Sequence, residues 1–264
     1  QGVIDPKKQI LSTGSISIPN PYDKTKTSTF NDWKAHGYVD LRRALAVSSN
    51  VYFYEVGGGY QDQKGIGITN IEKYVRMFGF GTTTGVIFPG EKKGIIPDPE
   101  WKKQTFDGEV WRVGDTYNSV IGQYGFQVTP IQVIRAVGAL ANEGTLLTPL
   151  YIKGEKPKIS GTISLDKKYY TIVKEGMRLG VTDGTSVSIN VPYVEVASKT
   201  GTAQIGVNKD QVNSWVIGFW PYKNPHYAYV VVMEKASKVN QFGAVGVMRG
   251  VFDWMSIYAP EYLK

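Results

Sequence analysis

Apolar positions follow helical steps over most of the chain and change to strand-like runs near its end. Residues 1–37 stand apart: rich in Ser, Thr, Pro, Asn and Lys, they show no sustained period and predict an extended, loop-rich lead-in. Asp40 then stands as a helix N-cap ahead of Leu41, Ala44, Leu45 and Val47, which share one stripe. Ser48-Ser49-Asn50 interrupts that stripe with small polar residues, and a second apolar stretch, Val51 to Val56, runs into Gly57-Gly58-Gly59, a helix stop. Thr69 is expected to cap a further helix, with Ile71, Tyr74, Val75 and Phe78 on one side and Gly79 closing it, before a Gly- and Pro-rich loop from Gly81 to Pro99. Thr129-Pro130 supplies a hydroxyl cap and a proline at the first helical position, followed at helical spacing by Ile131, Ile134, Val137, Leu140 and Ala141. Residues 145–168 predict loop and short strands, and Tyr170 to Leu179 one more helix.

The period then changes. Val191 to Gln204, Trp215 to Trp220 and Tyr227 to Glu234 are β-branched and aromatic runs separated by Gly, Asn and Pro turns, which predicts consecutive antiparallel strands. Val245, Met248, Val251, Phe252 and Met255 return to helical steps and can cover that sheet. Helices, then sheet, then a covering helix indicate an α+β domain, an antiparallel sheet covered by helices. No fixed-period repeat is visible, which argues against solenoids and propellers.

Composition narrows the function classes. With 264 residues and no cysteine, disulfide scaffolds, thiolate metal sites and cysteine nucleophiles are excluded. Only His36 and His226 remain as imidazoles, too few for a His-rich metal centre. Neither Tyr229 to Met233 nor Val133 to Ala141 approaches the ~18 residues that span a bilayer, and the N-terminus has no basic segment followed by an apolar one. The net charge of +7 admits a polyanionic partner, yet the lysines are scattered, with the pairs Lys7-Lys8, Lys92-Lys93, Lys102-Lys103 and Lys167-Lys168 all in loop-like surroundings. A solvated lysine-rich surface is the simpler account of them, and charge alone does not decide between the two.

Two short strings carry possible chemistry. Lys199-Thr200-Gly201-Thr202 falls inside a predicted strand, where Gly weakens pairing unless a ligand or backbone must come close. An ammonium, two hydroxyls and a residue without a side chain on one strand edge suit a carboxylate and an acyl oxygen, although a solvated edge strand would also explain the string taken alone. Ser-x-Asn occurs twice, as Ser48-Ser49-Asn50 and Ser188-Ile189-Asn190. The first lies between two predicted helices, where a turn can hold a hydroxyl and an amide rigidly toward a cleft; the second leads to Pro192 in a loop.

A Ser-x-Asn between helices followed far downstream by Lys-Thr-Gly-Thr on the first strand of an antiparallel run resembles the serine transpeptidases of the penicillin-binding protein and β-lactamase superfamily. Trp111 to Thr116, Ile121-Gly122-Gln123 and Val128 to Gln132 are similar to the segment that class B penicillin-binding proteins carry between those motifs. Trp33, Gly37 and Pro97 to Lys102 resemble the elongation-type branch. The likeness runs from about Gly2 to Ile257.

The resemblance implies peptidoglycan D,D-transpeptidation through a serine acyl-enzyme without metal or cofactor, with stem peptides as substrates, β-lactams as inhibitors, other cell-wall synthesis proteins as partners and no nucleic-acid partner. It implies a place on the extracytoplasmic side of the bacterial cytoplasmic membrane. Ser48 would relay a proton to the leaving group, Asn50 would hold the substrate amide, and Lys199 would set the field that keeps the relay ready. Thr200 and Thr202 would bind the terminal carboxylate, Gly201 would leave space for the donor peptide, and the Thr202 N–H would supply half an oxyanion hole.

One part of the family pattern is absent. Its nucleophile is the Ser of Ser-x-x-Lys, which precedes Ser-x-Asn. The string here, Ser164-Leu165-Asp166-Lys167, lies between the other motifs in a loop-like setting and reads as coincidence. Residues 1–264 are therefore expected to form a transpeptidase domain lacking its N-terminal segment, with nucleophile and any membrane anchor upstream. A non-catalytic penicillin-recognising or scaffold module is the alternative, and a β-lactamase-like hydrolase a third reading, disfavoured because no water-activating carboxylate is evident. His36 and His226 read as surface or turn residues with no acidic partner, Asp115 as a cleft or capping residue, Gln123 as a cleft candidate, and Tyr52, Phe53 and Tyr54 as core.

Overall fold

The structure, a computed structural model, describes residues 2–206, 210–237 and 242–264. The lead-in is more ordered than its composition suggests. Strands β1 (Ile10–Ser12), β2 (Ser15–Pro19), β3 (Thr27–Asn31) and β4 (Gly37–Val39) form two antiparallel ribbons, β1 with β4 and β2 with β3. Ser15-Ile16-Ser17-Ile18 alternates at the strand period: Ile16 is buried, while Ser17 and Thr29 hydroxyls meet across the ribbon at 2.9 Å. Hydroxyl-rich outer faces make such strands look like loop in composition.

Helices α1 (Leu41–Val47) and α2 (Asn50–Gly58) flank the Ser-rich turn, and the Asp40 carboxylate accepts from the Arg43 N–H as the expected cap of α1. Helix α3 (Ile68–Met77) is entered through Gly67 at φ +78°, so Thr69 lies inside the helix and does not cap it. Two short helices, α4 (Pro99–Thr105) and α5 (Val113–Val120), occupy a region whose apolar spacing predicted neither; at seven and eight residues they hold too little stripe to read. Asp98 caps α4 by accepting from the Trp101 N–H at 2.7 Å. Helix α6 (Pro130–Ala141) has the expected Thr129 cap, completed by Gln132, whose side chain accepts from the Thr129 N–H at 2.9 Å. A hairpin of β5 (Thr145–Leu147) and β6 (Ile159–Thr162) leads to α7 (Lys167–Asp183), longer than its apolar stripe.

The last region is an antiparallel meander, β7 (Ala197–Ile205), β8 (Gln211–Trp220) and β9 (Tyr227–Ser237), with α8 (Ala244–Tyr258) after it. Alternation on β8 sorts its two faces. Val216 and Trp220 pack with Met248 and Phe252 of α8, whereas Phe219, with Trp215 and Ile217, packs with Val133 and Val137 of α6 and Met177 of α7. The sheet is thus covered by helices on both faces. Residues 191–196, expected to be strand, are a connector instead: Val191, Val194 and Val196 are apolar because they cover the α8 side of the core, and pairing with β8 begins only at Ala197 opposite Phe219. Among the described residues no helix is long and apolar enough to cross a membrane.

One packing contact positions the site. Gly176, Gly180 and Gly184 recur every four residues at the α7 face that receives α1. A Cβ at Gly184 would lie 2.3 Å from the Ala46 carbonyl oxygen, and one at Gly180 would lie 3.0 Å from the Ser198 carbonyl oxygen of β7. These small residues let α7 touch α1 on one side and β7 on the other, which brings the end of α1 to the start of β7.

Candidate active site

At that junction the two sequence motifs meet. The Lys199 ammonium donates to Ser48 Oγ at 2.7 Å and to the Thr200 carbonyl oxygen at 2.5 Å. Burial lowers the Lys199 pKa from its ordinary range to about 8, because the charged form has lost part of its hydration. Ser48 ends α1 in the left-handed conformation, φ 57° and ψ 48°, and Ser49 begins α2 by accepting from the Tyr52 N–H. The chain therefore reverses direction at Ser48 and presents its hydroxyl to β7.

The turn is braced from behind by Asn31 to Trp33, which sequence reasoning had not assigned to the site beyond the family likeness of Trp33. The fully buried Asp32 carboxylate accepts from the Val51 N–H at 3.0 Å and the Trp33 N–H at 2.8 Å, and the Ser49 and Ser12 hydroxyls lie 3.0 and 3.3 Å from it. The Trp33 indole N–H points at the carbonyl oxygens of Val47 and Ser48, both at 3.2 Å. Asn50 donates its amide to the Asn31 carbonyl oxygen at 3.3 Å, so its side-chain orientation is set. An isolated Asp after Asn gives no periodic signal, and only the fold shows how many donors converge on it.

His36 corrects an expectation. Its side chain is buried and has an acidic neighbour, with Nε2 3.6 Å from Asp32 Oδ1 and the ring edge-on to Trp33. Burial lowers its pKa against the opposing pull of Asp32, which favours the neutral ring. His226 is an exposed turn residue beside Asn224, as expected.

On β7, the Thr200 hydroxyl is held by Thr185 Oγ1 at 2.7 Å, and Thr185 in turn donates its N–H to the Ala46 carbonyl oxygen. Thr202 is exposed, and its carbonyl oxygen accepts from the Gln123 side chain at 3.4 Å, away from β8. In an antiparallel strand the N–H and C=O of one residue point the same way, so the Thr202 N–H also faces the free edge. A Cβ on Gly201 would meet only Trp215 Cβ at 3.5 Å, an ordinary contact, so nothing in the described chain occupies the space above it. Asp115 belongs to scaffolding: it accepts from the Arg112 N–H and from the buried Lys102 ammonium, both at 2.7 Å. Tyr52 and Tyr54 are core residues. Ser164 and Lys167 are exposed at the entry to α7, where Asp166 is the cap. Surface concavities of about 560 and 590 Å³ lie beside Trp111 and beside Tyr60, and neither includes Ser48 or Lys199. Among the described residues no group of three or more His, Cys, Asp or Glu could hold a metal ion.

A lysine that bridges a helix-turn hydroxyl to an edge strand, on a sheet covered by helices, defines the class: the chain belongs to the penicillin-binding protein transpeptidase family, matching the penicillin binding protein transpeptidase domain over residues 2–247. It is 30% identical over 278 residues to the peptidoglycan D,D-transpeptidase MrdA of Acinetobacter baumannii, across 96% of this chain and 39% of that one. The MrdA of Escherichia coli is 27% identical, across 96% and 42%. Among solved structures, penicillin-binding protein PBP2 from Helicobacter pylori superposes with a TM-score of 0.79 at 31% identity, covering 97% of this chain and 46% of that one. PBP2 of Pseudomonas aeruginosa in complex with WCK 5153 gives 0.80 at 27%, covering 98% and 58%. The elongation-type likeness and the fold class read from sequence are borne out by these relatives. The chain spans about two fifths of the length of the curated relatives it matches.

Proposed function

We propose that these residues form the proton-relay and carboxylate-binding side of a peptidoglycan D,D-transpeptidase site that works through a serine acyl-enzyme. The observation that carries the reading is the Lys199 to Ser48 hydrogen bond, made between residues 151 positions apart. With a pKa of about 8, Lys199 is protonated roughly ten to one at pH 7. As a donor it occupies a lone pair of Ser48 Oγ and leaves the Ser48 proton free to move to the amine that leaves when the acyl bond to the nucleophile forms. Asn50 holds the substrate amide, Thr200 and Thr202 receive the terminal carboxylate, and the open space above Gly201 admits a strand-like donor. The outward Thr202 N–H suits an oxyanion donor. Asp32, the carboxylate beside the turn, is engaged by backbone donors and hydroxyls, so transfer to an amine acceptor is favoured over hydrolysis.

In this reading the acylated Ser and its Lys lie in a segment outside these residues, and the protein works on the extracytoplasmic face of the bacterial cytoplasmic membrane beside other cell-wall synthesis proteins. The Helicobacter pylori PBP2 solved in complex with MreC supports the last point. The test is incubation of an upstream-extended protein with a fluorescent penicillin. Stable labelling, lost in Lys199→Ala, is expected, with none on residues 1–264 alone. Full labelling of Lys199→Ala would sink the role of Lys199, a covalent adduct at Ser48 or Ser164 would sink the placement of the nucleophile, and an upstream sequence without Ser-x-x-Lys would leave a non-catalytic binding module.

A further inference from the structure

Away from the site, two loops that are distant in sequence form one apolar and basic tip. The Phe88 and Tyr151 rings meet at 4.6 Å between centroids, and a Cβ on Gly85 would touch Thr148 Cγ2 at 3.6 Å, so the 85–93 loop lies against the β5–β6 hairpin. The hairpin is closed by the Thr148 N–H donating to the Lys158 carbonyl oxygen at 2.8 Å and by a tight turn at Ile152 and Glu155. The side chains that project from the two loops are large and apolar: Ile87 is 64% exposed, Phe88 54%, Tyr151 58%, Ile152 54% and Ile159 64%. Exposed apolar side chains gathered this way mark an interaction surface.

Charge says what covers it. Lys92 and Lys93 follow Phe88 on one loop, and Lys153, Lys156 and Lys158 follow Tyr151 and Ile152 on the other; all five are exposed and form no ion pair among the described residues. Of the acids in the two loops, Glu91 is turned inward, accepting from the Thr84 and Gly85 N–H groups, which leaves Glu155 as the exposed counter-charge. Every residue from 151 to 160 is exposed, and the concavities beside Trp111 and Tyr60 do not include this tip. A protein ligand for projecting apolar groups would have to supply all the pockets itself, whereas a bilayer interface accepts protruding aromatic and aliphatic groups without a preformed complement, and lysines reach its anionic headgroups on long stems.

We propose that this tip is a peripheral contact for an anionic phospholipid surface, with Phe88, Tyr151 and Ile152 entering the interface and the lysines engaging headgroups. The proposal is independent of the catalytic reading. It is tested by co-sedimentation of the upstream-extended protein, without any membrane-spanning segment, with vesicles of phosphatidylcholine containing one quarter phosphatidylglycerol, and with pure phosphatidylcholine vesicles. Binding to the anionic vesicles is expected, at least tenfold weaker on the zwitterionic ones and weakened by added salt. A Phe88→Ser/Tyr151→Ser/Ile152→Ser variant, altered only at exposed positions and checked for an unchanged melting temperature, should lose at least tenfold. Lys153→Glu/Lys156→Glu/Lys158→Glu should lose as much. Wild-type binding by the serine variant would reduce the attraction to the overall charge of +7 and overturn the proposal. Absence of binding to the anionic vesicles would also overturn it, leaving the tip to a protein ligand.

Discussion

Replacing Lys199 by methionine is expected to stabilise the fold at pH 7 while abolishing penicillin acylation of the extended protein. Burial lowers the native pKa from 10.5 to about 8, so keeping the charge in place costs about 3 kcal/mol relative to the unfolded chain. Against this stand the hydrogen bonds to Ser48 Oγ and the Thr200 carbonyl oxygen, worth about 1 kcal/mol each. The variant should therefore gain about 1 kcal/mol. Because the native pKa lies below the unfolded one, the unfolded chain binds more protons between pH 8 and 10.5, and wild-type stability rises with pH across that window. The variant lacks this rise, so the two should converge and then cross. Tyr54 and Tyr117, pushed up to about 12 by burial, oppose the rise only once unfolded tyrosines begin to ionise near pH 10, and they do so equally in both proteins. Urea unfolding of both proteins from pH 7 to 10 measures the difference. A variant less stable by more than about 1 kcal/mol at pH 7, with the same pH slope as wild type, would refute the claim that Lys199 is held in a desolvated, charged state.

Asp32→Ala should cost about 3 kcal/mol in urea unfolding, since it leaves the Val51 and Trp33 N–H groups and the Ser49 hydroxyl without their acceptor; Asp32→Asn should cost less. Gly184→Ala places a methyl 2.3 Å from the Ala46 carbonyl oxygen and should cost about 2 kcal/mol, with faster amide exchange at the end of α1. Phe252→Ala empties a fully buried site between α8 and the sheet and should cost about 3–5 kcal/mol, with labelling chemistry otherwise intact in the fraction that remains folded.

Much of the fold was legible because local rules and tertiary packing agree. The Asp40 and Thr129 caps, the three strands and the C-terminal helix each combine a clear apolar period with a side chain that satisfies a helix end or a turn. The lead-in was not legible, because β2 and β3 are rich in Ser and Thr and the three-residue β1 and β4 derive their order from pairing with each other, Ile10 opposite Val39. Val191, Val194 and Val196 misled in the other direction: apolar and β-branched, they are buried without a ladder partner.

The site divides along the same line. Sequence alone determined which groups could carry chemistry, since Ser48, Asn50 and the Lys199 to Thr202 string stand out by residue type against their surroundings. Only the tertiary structure decided that Ser48 and Lys199 touch, because that depends on glycines of α7 letting two backbones approach. It alone showed that Asp32 and His36 are buried behind the turn and that scattered lysines gather around one apolar tip. Residue type is a property of one position; proximity is set by the packing of many, and a one-dimensional pattern carries no record of it.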